Sequence, residues 1–234
     1  QPAYPYGHAA AVYPTPRRKR RWPLAVAAIL IALGLVGLSV YLTVVSLQWR
    51  TYASDLEAAV NELRTTAAHD RAARDEMRDD FIAIGKRVDA RVREQFALIP
   101  RTPLEIRAVP AYREKTDAGG SYIQGTPDGT RPGIFYYNAY DLPSRSKVGS
   151  ETLYLHEAVP GHHFQISLAQ ENTTLPPFMR FGGNTAYVEG WALYAETLWQ
   201  PLGMETDPYQ RFGGLDDEML RALRLVVDTG IHAK

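Results

Sequence analysis

Residues 23–47 run for 25 positions without a single charged side chain. At about 1.5 Å per residue, a helix of that length crosses the hydrocarbon core of a bilayer with room for tilt. A secretion signal has a shorter apolar region, about 7–15 residues, followed by a small-x-small cleavage site. No such site follows this run, so the sequence is read as an uncleaved anchor. Trp22, Tyr41 and Trp49 lie at or near its ends, where interfacial aromatics belong. Five consecutive basic residues, 17–21, precede it. After it, Arg50 and Arg64 are mixed with Asp55, Glu57 and Glu62. That asymmetry predicts a single-pass protein with a cytoplasmic N-terminus and everything past Trp49 outside the cytoplasm. The basic run, set directly against the apolar span, is read as a topology signal drawn to anionic lipid.

Composition narrows the remaining classes. Lys+Arg (26) and Asp+Glu (26) cancel, and the sequence pI of about 7.2 lacks the basic footprint of a nucleic-acid binder. The absence of cysteine removes disulfides, iron–sulfur clusters, thiolate zinc sites and a cysteine nucleophile together. Any metal must be held by His, Asp or Glu.

Four segments follow. Residues 1–22 form a basic tail, rich in Pro, Tyr and Ala at its start and expected to be disordered. Residues 23–48 are the transmembrane helix. Residues 49–99 read as a helical stalk, with Tyr52, Leu56, Val60 and Leu63, then Ile84, Val88, Val92 and Phe96, at helical spacing. Residues 64–80 between them are mostly charged residues and alanines. The stalk offers a surface for a homodimer, and Pro100 and Pro103 close the helix. Residues 100–234 carry the chemistry. Two short aromatic and β-branched runs, 121–124 and 134–138, lie among Gly- and Pro-rich turns and read as strands. From residue 150 onward the pattern is helical. The expected fold is mainly α, with a small β-hairpin or sheet edge.

Three of the six histidines fall in His156-Glu157-Ala158-Val159-Pro160-Gly161-His162-His163. The zinc-hydrolase pattern H-E-x-x-H sets two imidazoles one turn apart on a helix, with the Glu as general base. Here Pro160 occupies the second histidine's place. On an unbroken helix His162 would lie about 120° round from His156, and His163 two turns along. Neither pair closes on one ion at bond lengths of about 2 Å. Pro160 supplies the needed distortion, because its ring clashes with the His156 carbonyl four residues back. Gly161 is expected to take the positive φ of a sharp bulge. A two-residue bulge there returns His162 to the ordinary ligand position.

A third ligand is sought in residues 184–196, a helix N-capped by Asn184. Glu189, Leu193 and Glu196 share one face; Tyr187, Trp191, Tyr194 and Leu198 lie round the rest. A glutamate among so many apolar neighbours needs a partner, either a metal or an arginine.

These blocks, with residues 220–232 and their Asp228-Thr229-Gly230-Ile231-His232, resemble the DUF885 family, bacterial proteins placed among the zincin-like metallopeptidases. The resemblance implies a partial zincin-like helical domain around a cleft. It also implies Zn2+ as cofactor, His156, His162 and Glu189 as ligands, and Glu157 as general base. The expected function is hydrolysis of peptides by a membrane-anchored zinc metallopeptidase, Glu157 taking a proton from the attacking water. The alternatives are a truncated or chimeric non-catalytic protein that keeps the motif, or a zinc hydrolase of non-peptide amides or esters.

Further candidates surround this set. Asp228 and His232 sit four apart, so the carboxylate either orients a catalytic imidazole or forms a solvated pair. Arg224, with Arg221, either grips a substrate carboxylate or pairs with Asp216, Asp217 or Glu218. Tyr137, with Tyr136 and Asn138, either edges a substrate-binding strand or packs in the core. His163 and Tyr194 are candidates for the surroundings of the site, and Glu196 for a hydrogen bond to a ligand histidine.

Overall fold

No proline interrupts residues 24–99, and a single helix, α1 (Trp22–Gln95), fills nearly all of that interval. The computed structural model describes residues 22–233; the N-terminal tail and its basic run lie outside them. The chain divides into two units, Gln1–Arg64 and Thr65–Lys234, with the break inside α1.

In the first unit the apolar side chains of α1 from Leu24 to Leu47 are exposed, Val45 alone being half-buried among them. This is the one helix among the described residues that is long and apolar enough to cross a membrane.

The second unit follows α1 with strands β1 (Leu104–Ala108), β2 (Gly120–Ile123) and β3 (Gly133–Tyr137). Helices α2 (Ser150–Glu157), α3 (His162–Glu171), α4 (Pro177–Phe181), α5 (Thr185–Thr197) and α6 (Pro208–His232) complete it. The protein is mainly helical, with one three-stranded sheet in the order β1-β3-β2. β2 and β3 form the expected antiparallel hairpin, in register from Gly120 opposite Tyr137 to Ile123 opposite Ile134. β1 adds to the other side of β3 in parallel. Its Leu-Glu-Ile-Arg-Ala alternation is short and follows two prolines closely, which is why the sequence reading passed over it.

Two expectations change here. The stretch read as a helical stalk over residues 49–99 is helical to Gln95, and its second half enters the core. Phe81, Ile84, Val88 and Val92, at steps of three and four residues, are buried in the second unit's core. They pack with Phe135, Leu155, Phe164, Leu202 and Met204. Phe81 meets Phe135 edge-to-face at 5.0 Å between ring centroids. Tyr137 is core as well. Burial alternates along β3, which turns Tyr137 inward beside Phe81, where its hydroxyl donates to the Arg74 carbonyl at 3.1 Å.

Charged side chains tie the helices where apolar packing thins. Arg74 holds Glu114 with two hydrogen bonds, at 2.8 and 3.1 Å. The buried Glu151 pairs with Arg87 of α1 and accepts from the Glu205 amide. Glu205 in turn accepts from Thr152 at 2.6 Å and from Arg211 at 2.8 Å. The starts of α2 and α6 meet at glycines: a Cβ on Gly213 would stand 2.2 Å from the Gly149 nitrogen.

The buried end of α1 gives a stability prediction. In the detergent-solubilised protein, Phe81→Ala should lower unfolding free energy by about 3–5 kcal/mol, as removing a buried aromatic does. Leu63→Ala, at a side chain 69% exposed, should change it by less than about 0.5 kcal/mol. Equal effects in urea titrations would mean that α1 ends as a free stalk.

Candidate metal centre

The histidine motif is split between two helices. α2 ends at Glu157, α3 begins at His162, and residues 158–161 form a sharp corner. The Val159–Pro160 peptide is cis. Gly161 is required at this corner for a different reason than the sequence suggests. Its φ is −74°, not positive. What matters is space: a Cβ at 161 would lie 1.8 Å from the His156 carbonyl oxygen and 2.3 Å from that of Leu155. Only glycine lets the start of α3 press against the last turn of α2. From α5, the Trp191 indole N–H donates to the Pro160 carbonyl at 2.7 Å and pins the corner.

The corner brings the two imidazoles together, their ring centroids 4.8 Å apart and nearly perpendicular. Glu189 of α5 sits between them. One carboxylate oxygen is 3.4 Å from Nε2 of His156, and the other 3.6 Å from Nε2 of His162. One ligand atom from each of the three lies within 4.8 Å of the other two. Ligands about 2 Å from a shared tetrahedral ion stand about 3.3 Å apart, so the carboxylate–imidazole separations already fit and small adjustments close the set. Two imidazoles and one carboxylate is also a donor set that suits zinc.

The other candidates separate clearly. Glu157 is buried and lines the same cleft, whose volume is about 720 Å3, with His156, Glu189, Asp217, Arg221 and Arg224. Burial pushes its carboxyl up to about 7, helped by Glu189 and Glu196 and opposed by His156. Burial alone would lower the His156 imidazole. The hydrogen bond it donates to Glu196 and the charges of Glu157, Glu196 and Glu189 outweigh burial and raise it. His162 is lowered, first by burial and then by His156. Glu196 lies 2.6 Å from His156 Nδ1. Arg224 borders the cleft, and no ion pair holds it among the described residues.

His163 turns away from the cluster. Its Nδ1 is 3.1 Å from the Tyr122 hydroxyl, and burial lowers the ring to about 4, so it serves the packing of α3 on the sheet. Tyr194 is half exposed against the Trp191 ring. Asp228 and His232 pair with each other at 3.3 Å on an exposed stretch of α6. No described contact brings His232 to the cluster.

Two residues have partners that the sequence does not signal. Arg221, read as gripping a substrate carboxylate or pairing with acids of its own helix, pairs with Glu196 across to α5. Trp191 was read only as part of an aromatic helix. Neither spacing nor composition signals a partner 25 or 31 residues away.

The helical unit and its two-histidine, one-glutamate cluster define a protein built around a candidate divalent-metal site. The chain belongs to the DUF885 family, described as bacterial proteins of unknown function, whose model matches residues 41–234. It is similar to the crystal structure of "the putative lipoprotein from Colwellia psychrerythraea", with 40% identity and a TM-score of 0.65. That match covers 68% of this chain and 27% of the other, so this chain spans about a quarter of the length of that protein. No curated protein matches.

The corner yields a prediction. Gly161→Ala must push α3 off α2 and part the two imidazoles. Zinc affinity, measured by competition with a chromophoric chelator, should fall at least about tenfold while the circular dichroism signal is kept. Unchanged affinity would separate metal binding from the corner.

Proposed function

We propose that this chain carries the metal-binding core of a membrane-anchored, zinc-dependent peptidase. His156, His162 and Glu189 hold the ion and Glu157 acts as general base. The observation that carries the reading is the convergence of His156, His162 and Glu189, with the buried Glu157 lining one cleft beside His156 and Glu189. A zinc ion in such a site supplies a Lewis acid and acidifies water. The protein's own residues supply the rest. A carboxyl with a pKa near neutrality can both take a proton from an attacking water and return it to a leaving amine. Glu157 is held beside the ligand cluster by its position directly after His156 at the end of α2.

Peptides are favoured over other amides and esters by the sheet. β2 is an edge strand, and Gly119 and Gly120 at its start border the cleft. An extended peptide can add to such an edge through backbone hydrogen bonds. This role passes to β2 from Tyr136, Tyr137 and Asn138, because β3 lies in the middle of the sheet. Arg224, on the cleft wall, is suited to a substrate carboxylate.

For localisation, the proposal is a single-pass protein with its N-terminus in the cytoplasm and the second unit outside. The similarity to a protein named as a lipoprotein supports association with a membrane.

Three experiments test these readings. Glu157→Gln should bind zinc stoichiometrically and lose about 10²–10⁴-fold of peptide hydrolysis. Chelation should abolish the wild-type activity and added zinc restore it; hydrolysis that survives in either experiment would overturn the assignment. The chain has no native cysteine, so Ser54→Cys can report topology alone. A membrane-impermeant maleimide should label it on intact cells, and labelling only after lysis would reverse the orientation.

A further inference from the structure

We propose that Arg221 is a positioning residue of the metal centre, acting through Glu196 to fix the ring of His156. The inference rests on the reading of His156 as a ligand and extends it to a helix that contributes no ligand. The same oxygen of Glu196, Oε1, receives both His156 Nδ1 at 2.6 Å and Arg221 Nη2 at 2.5 Å. An ionised carboxylate only accepts hydrogen bonds, so both nitrogens donate. The proton of His156 therefore sits on Nδ1. Nε2, 3.4 Å from Glu189, presents its lone pair to the cluster.

Arg221 makes this bond in preference to closer acids in the chain. Asp217 lies one turn earlier on α6, at the spacing where helical ion pairs form, and Asp216 and Glu218 flank it. The guanidinium instead crosses to α5, where the Glu196 side chain is only 10% exposed. There it holds the carboxylate in the rotamer that meets His156. The second ligand histidine lacks any such support. His162 Nδ1 is buried and has no hydrogen-bond partner among the described residues. His156 is thus the oriented ligand of the pair, and α6 sets its orientation. That helix is fixed at its start, where Gly213 and Gly214 pack against α2 and Glu205. Arg221, two turns further along, transmits its placement to the ring.

The test uses the full chain in detergent, with Arg221→Met and Arg221→Lys. Arg221→Met should weaken zinc binding about 10–100-fold, the usual cost of losing an outer partner of a ligand. Arg221→Lys, which keeps the charge without the planar fork, should fall between it and wild type. In metal-free protein, ring nitrogen-15 shifts of His156 should report Nδ1 protonated in wild type and a mixture of tautomers in Arg221→Met. A purely structural role would lower the thermal midpoint and leave both readouts unchanged. Zinc affinity within about twofold of wild type, with the same ring signature, overturns the proposal. If the wild type binds no zinc, the metal reading falls, and the ring signature alone decides whether Arg221 orients His156. Should Arg221→Met not fold, the same measurements on Arg221→Lys and Glu196→Gln decide.

Discussion

The candidate metal cluster depends on a contact too close for any side chain. Residue 161 presses against the carbonyls of His156 and Leu155 at a distance that leaves no room for a Cβ. Everything specific to the site follows from that approach. It ends α2 at Glu157, starts α3 at His162, and swings the second imidazole back toward the first. In an ordinary H-E-x-x-H helix, one uninterrupted turn does this work with backbone hydrogen bonds. Here the helix is broken, and the polar groups it frees must be answered elsewhere. Ala158 still donates to Tyr154 at 2.9 Å, and the Phe164 and Gln165 amides reach back to Ala158 and Gly161. The Pro160 carbonyl is taken by Trp191.

That last bond makes α5 more than a carrier of the third ligand. Over eight residues it supplies Glu189 between the imidazoles, Trp191 on the corner and Glu196 on His156. Each contact constrains the same small volume from a different side. A shift of α5 would loosen the corner, the ligand and the ligand's orientation together. α6 is bound into the same arrangement through Arg221. The centre is therefore held by the relative placement of α2, α3, α5 and α6.

How much of this is legible in the sequence depends on the range of the interaction. The apolar span, the hairpin and the break at Pro160-Gly161 are local, so charge, alternation and ring sterics reveal them. The need for a bend could be argued from Pro160 alone, since it occupies the place of the expected histidine. Its mechanism could not. Positive φ is the usual reason for glycine, while the crowding that operates at Gly161 involves atoms placed by the fold. Residues 81–92 read as a helical face in either case, and only the second unit tells that the face is buried. Tyr137 and His232 mark the same limit from the other side. Both have chemistry suited to a site, and the sheet alternation and the course of α6 direct them elsewhere. Arg221 could not be paired correctly, because its nearest acids in the chain are not its partners.

Charge argues in the same direction as geometry. Glu157, Glu189 and Glu196 gather around His156, and of the three only Glu196 is ion-paired to a guanidinium, that of Arg221. With both imidazoles neutral and all three acids ionised, the group carries two negative charges in surplus. Partly buried carboxylates in surplus are costly, and they recover stability by taking up protons or by binding a cation. The upward displacement of Glu157 and His156 expresses the first course, although for Glu157 burial is the larger cause and for His156 burial acts the other way. A dication held by His156, His162 and Glu189 would satisfy the second, matching the surplus in magnitude and sign. A purely structural cluster would gain by replacing one acid with an amide. Three acids kept beside two imidazoles, with one arginine committed to just one of them, is an arrangement suited to a metal ion.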